Sequence, residues 1–123
     1  MTNSTALRTA ALLGFLAVAL GAFGAHGLRE VLHRNGTAAI WEKAVLYHFI
    51  HAIMLFILGG RSPLKLFTWL CFFFGIILFS GSLYVLAFTN TKWFGAITPF
   101  GGASFLAGWL CLVICPAPKA DAK

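Results

Sequence analysis

Leu66-Phe67-Thr68-Trp69-Leu70-Cys71-Phe72-Phe73-Phe74-Gly75-Ile76-Ile77-Leu78-Phe79-Ser80-Gly81-Ser82-Leu83-Tyr84-Val85-Leu86-Ala87-Phe88 is a run of 23 residues without a charge. A helix needs about 20 such residues to cross the hydrocarbon core of a bilayer. Three more runs of this kind flank it. Upstream, Ala44 to Gly60 is uncharged and ends in the breaker Gly59-Gly60-Arg61-Ser62-Pro63. Before that lies Thr9 to Ala25, 17 uncharged residues that follow Arg8. Downstream, after the polar turn Thr89 to Trp93, comes Phe94 to Cys115, closed by Pro116 and Pro118. The spans are expected at about 7–26, 42–60, 66–88 and 94–115, within one domain covering 1–123. A charged residue at mid-bilayer costs about 2.5–3.5 kcal/mol on insertion scales, and the sequence avoids that cost in every span.

The whole chain agrees. It is 60% hydrophobic and 10% charged, against about 45–50% and 25% for soluble domains. The mean hydropathy is +0.90. The fold class is therefore all-α, an integral membrane bundle of four transmembrane helices in contact with the lipid bilayer. The first run is longer than a signal-peptide core and three spans follow it, so it is expected to be retained. The net charge of +6 is spread between and beside the apolar runs with no basic stripe, which argues against nucleic acid as a partner. Arg8, Arg61, Lys65, Lys119 and Lys123 fall on one side, and Arg29, Arg34, Lys43 and Lys92 on the other. This small excess favours both termini in the cytoplasm, in the plasma (inner) membrane. Cys71, Cys111 and Cys115 lie in apolar runs and read as small packing residues.

Between the first two spans, Gly27 to Arg34 reads as a short interfacial helix with Leu28, Val31 and Leu32 on its apolar stripe. Glu30 and Arg34 have the spacing of an ion pair. Asn35-Gly36 supplies the stop, and Thr37 is expected to cap the next helix. Ala17, Gly21 and Ala25 form a small-residue ridge that lets a neighbouring helix come close.

In an antiparallel bundle the first and third loops share one side. His26, His48, His51 and Tyr47, with Ser80, Ser82 and Thr98, then gather in one leaflet, together with Gly21, Gly24, Gly27, Gly81, Gly101, Gly102 and Gly108. Two readings compete. The histidines, tyrosine, serines and threonine line a ligand or proton site. Alternatively they make interhelical hydrogen bonds while the glycines allow close packing, with Thr98 capping a helix broken by Pro99.

Gly24-Ala25-His26-Gly27, Tyr47-His48-Phe49-Ile50-His51-Ala52, Phe79-Ser80-Gly81-Ser82-Leu83-Tyr84, Thr98-Pro99-Phe100-Gly101-Gly102 and Gly108-Trp109 together resemble the YgdD/YwdK-like family. These are small bacterial inner-membrane proteins of unknown function, with similar small transmembrane proteins in animals. The resemblance implies four spans and brings no reaction, cofactor or catalytic residue.

Three classes of function fit. The first is a non-enzymatic accessory or scaffold subunit of a membrane assembly, with no cofactor. So small a bundle buries little surface and is expected to associate with itself or with another membrane protein. The second is a small transporter or channel subunit. Glu30 and Glu42 lie in or beside the first loop, so a histidine would have to carry proton coupling. The third is a haem- or metal-binding protein, with His26 facing His48 or His51, or with Glu42 or His33 completing a zinc site. Lipid binding at the Arg29–Lys43 loop is a fourth, narrower possibility.

Overall fold

The computed structural model describes residues 1–115; Pro116, Pro118 and the polar tail lie outside the described residues. Helix α1 is Asn3–Ala25, α2 is Arg29–Asn35 and α3 is Ala38–Gly59. The third span is made of α4 (Leu66–Gly75), a π-helical turn (Ile76–Ser80) and α5 (Gly81–Thr89). A 3-10 helix (Lys92–Ala96) then leads into α6 (Thr98–Ile114). Among the described residues, four stretches are long and apolar enough to cross a membrane: Asn3–Ala25, Ala38–Gly59, Leu66–Thr89 and Lys92–Ile114. Helix α1 packs along α3, α3 along the third span, and the third span along α6.

The chain enters α1 earlier than its polar lead implied. Thr2 is the N-cap and accepts a hydrogen bond from the Thr5 amide at 3.2 Å. The interfacial helix α2 forms as expected, with Leu32 buried and Gly36 closing it at φ 66°, where a side chain would be strained. Glu30 and Arg34 form no ion pair among the described residues; both are exposed, where water competes for each. Thr37 does not cap α3. Its hydroxyl is buried and donates instead to the Ala87 carbonyl at 2.7 Å.

That contact belongs to a pattern. The last carbonyls of a helix have no partner within it, and lipid supplies none. Asn35 Nδ2 donates to the carbonyls of Ala87 and Phe88, both at 3.1 Å, so loop one closes the end of the third span. Asn3 Nδ2 does the same for the end of α3, reaching the carbonyls of Gly59 at 2.8 Å and Arg61 at 2.6 Å. Lys65 Nζ donates to the Cys115 carbonyl beyond α6.

Close packing uses some of the expected small residues and not others. Ala6, Ala10 and Ala17 are buried against α3, whereas Ala25 is exposed. A spacing of four turns about 40° past a full circle at each step, so the ridge drifts off the contact face and Gly24 replaces Ala25. A Cβ at Gly24 would overlap the Trp41 indole, and one at Gly101 would overlap the backbone of Phe79 in the π turn. At Gly108 it would strike the Phe72 ring, and at Gly21 it would press on Val45 at 3.3 Å. Gly27, Gly81 and Gly102 do not mark close helix approaches: Gly27, in the turn after α1, meets only Phe23 of that preceding helix, and nothing lies closer than 3.9 Å to a Cβ at the other two. Gly59, against the Ala6 backbone, and Gly75, against the Phe105 ring, are the contacts that the sequence did not single out.

Gly101→Ala is expected to lower stability in detergent by about 1–3 kcal/mol, the usual cost of overpacking. Gly102→Ala should stay within about 0.5 kcal/mol of the parent. Thermal unfolding followed by circular dichroism compares them, and equal midpoints would contradict the close approach at Phe79.

Candidate functional site

The candidate residues separate into three polar clusters. In the first, His48 on α3 is 3% exposed. Its Nδ1 lies 2.8 Å from the Tyr84 hydroxyl on α5. The Tyr84 ring packs on Trp41 with centroids 4.8 Å apart, and Trp41 Nε1 donates to the Leu20 carbonyl of α1 at 2.9 Å. One edge of the chain is unfinished. His48 Nε2 has no hydrogen-bond partner, the only such buried side-chain N or O atom among the described residues.

The second cluster is complete. His51 Nδ1 lies 2.7 Å from the Tyr47 carbonyl one turn earlier. A carbonyl only accepts, so Nδ1 carries the proton. Trp109 Nε1 on α6 donates to His51 Nε2 at 3.1 Å, so that nitrogen is the bare acceptor. Both nitrogens of this neutral Nδ1–H tautomer are occupied. The ring also lies flat on Phe105, with centroids 3.6 Å apart and planes 12° from parallel.

The third cluster ties helices together. Ser80 Oγ donates to the Ala44 carbonyl of α3 at 2.8 Å. Ser82 Oγ donates to the Phe79 carbonyl at 2.9 Å and lies 2.7 Å from Thr98 Oγ1, which joins the third span to α6. Thr98 opens α6 through this contact and not as a side-chain cap. Polar contacts also occupy the other half of the bundle, where Trp69 Nε1 donates to the Leu55 carbonyl at 3.1 Å and Ser104 Oγ to the Cys71 carbonyl at 2.6 Å.

The three histidines do not form one site. His26 is exposed and caps the end of α1 through its backbone. His48 and His51 share α3, yet one is bonded toward α5 and the other toward α6. Tyr47 is 39% exposed and packs its ring on Phe79, centroids 4.6 Å apart. Among the described residues no three His, Cys, Asp or Glu side chains group closely enough to hold a metal, and neither Glu42 nor His33 completes such a set. Cys71, Cys111 and Cys115 are free thiols. Tyr84, Trp41 and Trp109 are the partners that the sequence reading missed. The available signal was an aromatic N–H or O–H inside a span, which lipid cannot satisfy.

Four apolar spans cross-linked by internally paired polar groups define a multi-pass helical membrane protein. The chain belongs to the family described as protein of unknown function (DUF423), whose model matches residues 20–102. It is 48% identical over 109 residues to a UPF0382 membrane protein of Staphylococcus epidermidis, covering 85% of this chain and 88% of that one. It is 42% identical over 111 residues to the UPF0382 membrane protein YwdK of Bacillus subtilis, covering 85% and 89%. A UPF0382 membrane protein of Haemophilus influenzae is 40% identical over 113 residues, covering 86% and 88%. No solved structure matches the chain.

Nitrogen-15 NMR of selectively labelled protein is expected to show His51 as the Nδ1–H tautomer at neutral pH. Trp109→Phe, which leaves Nε2 without its donor, should cost about 1 kcal/mol of stability. An Nε2–H signature at His51 would contradict the assignment.

Proposed function

We propose that the protein is a non-enzymatic accessory subunit of a larger membrane assembly. It acts in the plasma membrane with both termini on the cytoplasmic side and associates laterally with itself or with another membrane protein. The observation that carries this reading is His51. Its two ring nitrogens are both hydrogen-bonded and its face is stacked, so a buried candidate for chemistry serves as a tie between α3 and α6. The lateral surface supports the association. Only 22% and 17% of the most apolar stretches of the first and fourth spans are buried, against 44% for the third, so the outer spans keep faces for lipid or a neighbour.

Deleting the gene should change the abundance or mobility of another complex when solubilised membranes are separated by blue-native electrophoresis. Profiles that match the parent across all complexes would overturn the proposal. A second reading, a proton-coupled transport subunit, is favoured by the unpaired Nε2 of His48 alone. On that reading, His48→Gln abolishes proton-coupled flux in proteoliposomes; on the accessory reading it leaves the native-gel profile intact and there is no flux to lose.

A further inference from the structure

A lateral groove of about 630 Å³ opens between α1 and α3 in the half of the bundle that bears loop one. Its walls include Ala17, Gly21 and Ala25 of α1 and Glu42, Leu46 and Phe49 of α3. In the opposite half the gap between the same two helices shrinks to about 210 Å³. The deep part therefore runs from Ala17 to Ala25, about 12 Å along the helix. That is close to one leaflet's share of a hydrocarbon core about 30 Å thick. A straight spanning helix would seat in half of its length only, whereas an acyl chain entering from the loop-one surface fits the deep part.

The charges at the mouth select the headgroup. Glu42 is the one ionisable residue in the groove wall. It is exposed and forms no ion pair or hydrogen bond among the described residues. A carboxylate there repels a bare phosphate and attracts an ammonium group. Arg29 opens α2 four residues after Ala25 and one turn before Leu32, which also lines the groove. It too is exposed and unpaired among the described residues. The Glu42 carboxylate in the wall, with the exposed Arg29 one turn before the wall residue Leu32, matches a headgroup with a primary ammonium and a phosphate.

We infer that the groove binds one phosphatidylethanolamine-type phospholipid. Its ammonium lies at Glu42, its phosphate at Arg29, and one acyl chain lies between α1 and α3. This goes beyond the accessory role and does not depend on it.

Native mass spectrometry of the protein from nanodiscs holding equal amounts of phosphatidylethanolamine and phosphatidylglycerol tests the inference. One phosphatidylethanolamine should stay on each chain in preference to phosphatidylglycerol. Glu42→Gln should cut that preference roughly two- to fivefold, the range of a screened interfacial ion pair. Ala22→Phe, which fills the groove from an exposed wall position, should abolish retention of both lipids while the helical circular dichroism spectrum stays that of the parent. Equal retention of the two lipids would overturn the inference. So would a preference unmoved by Glu42→Gln, or a second polypeptide that leaves when Ala22→Phe is introduced.

Discussion

Lipid offers no hydrogen-bond partner, and the rest of this structure follows from that constraint. A chain with four spans releases carbonyls at every helix end; backbone amides close the ends of α1 and α2, and side chains far away in sequence close those of the later spans. Asn3 closes the end of α3, Asn35 and Thr37 close the end of the third span, and Lys65 reaches past α6. Three tryptophans extend the same economy into the bundle, each aiming its indole N–H at a neighbouring helix. Loop one is thus part of the fold, since its Asn35 and Thr37 finish a helix that begins thirty residues later in the chain.

The same constraint sorts the histidines into different roles. On a membrane helix a histidine reads as a candidate for proton or metal chemistry because its nitrogens are expensive to leave bare. At His51 the cost is removed from both sides, by a carbonyl one turn back and an indole from α6. At His48 it is removed from one side only, by Tyr84. Two residues of one type, three apart on one helix, therefore differ in what they can still do. The difference is set by which neighbouring helix each faces.

Much of this was legible in the sequence, because the governing signals are local. Uncharged length gives the spans, Asn35-Gly36 gives the end of α2, and the polar residues inside the spans pick out Ser80, Ser82 and Thr98. Pairing is not local. Thr37 looks like a cap for the helix that follows it, and only the fold shows that Ala87 competes for its hydroxyl and wins. Small-residue spacing marked Gly24, Gly101 and Gly108 but could not separate them from Gly27, Gly81 and Gly102, since what matters is the residue opposite. The π turn at Ile76–Ser80 left no sign beyond glycines on either side of it, at Gly75 and Gly81.

Packing and polar pairing are one arrangement at the centre of the bundle. Gly75 has no side chain, so the Phe105 ring can sit against α4, and in that place it stacks on His51. Gly108 admits the Phe72 ring, and Phe72 in turn lies against both His51 and Trp109. The next residue after Gly108 is Trp109, whose indole completes the His51 hydrogen bonds. Adding a methyl group at Gly75 or Gly108 would therefore push the very rings that hold His51 in its tautomer. In this fold the glycines set how near α6 approaches, and that distance decides whether a buried imidazole is satisfied.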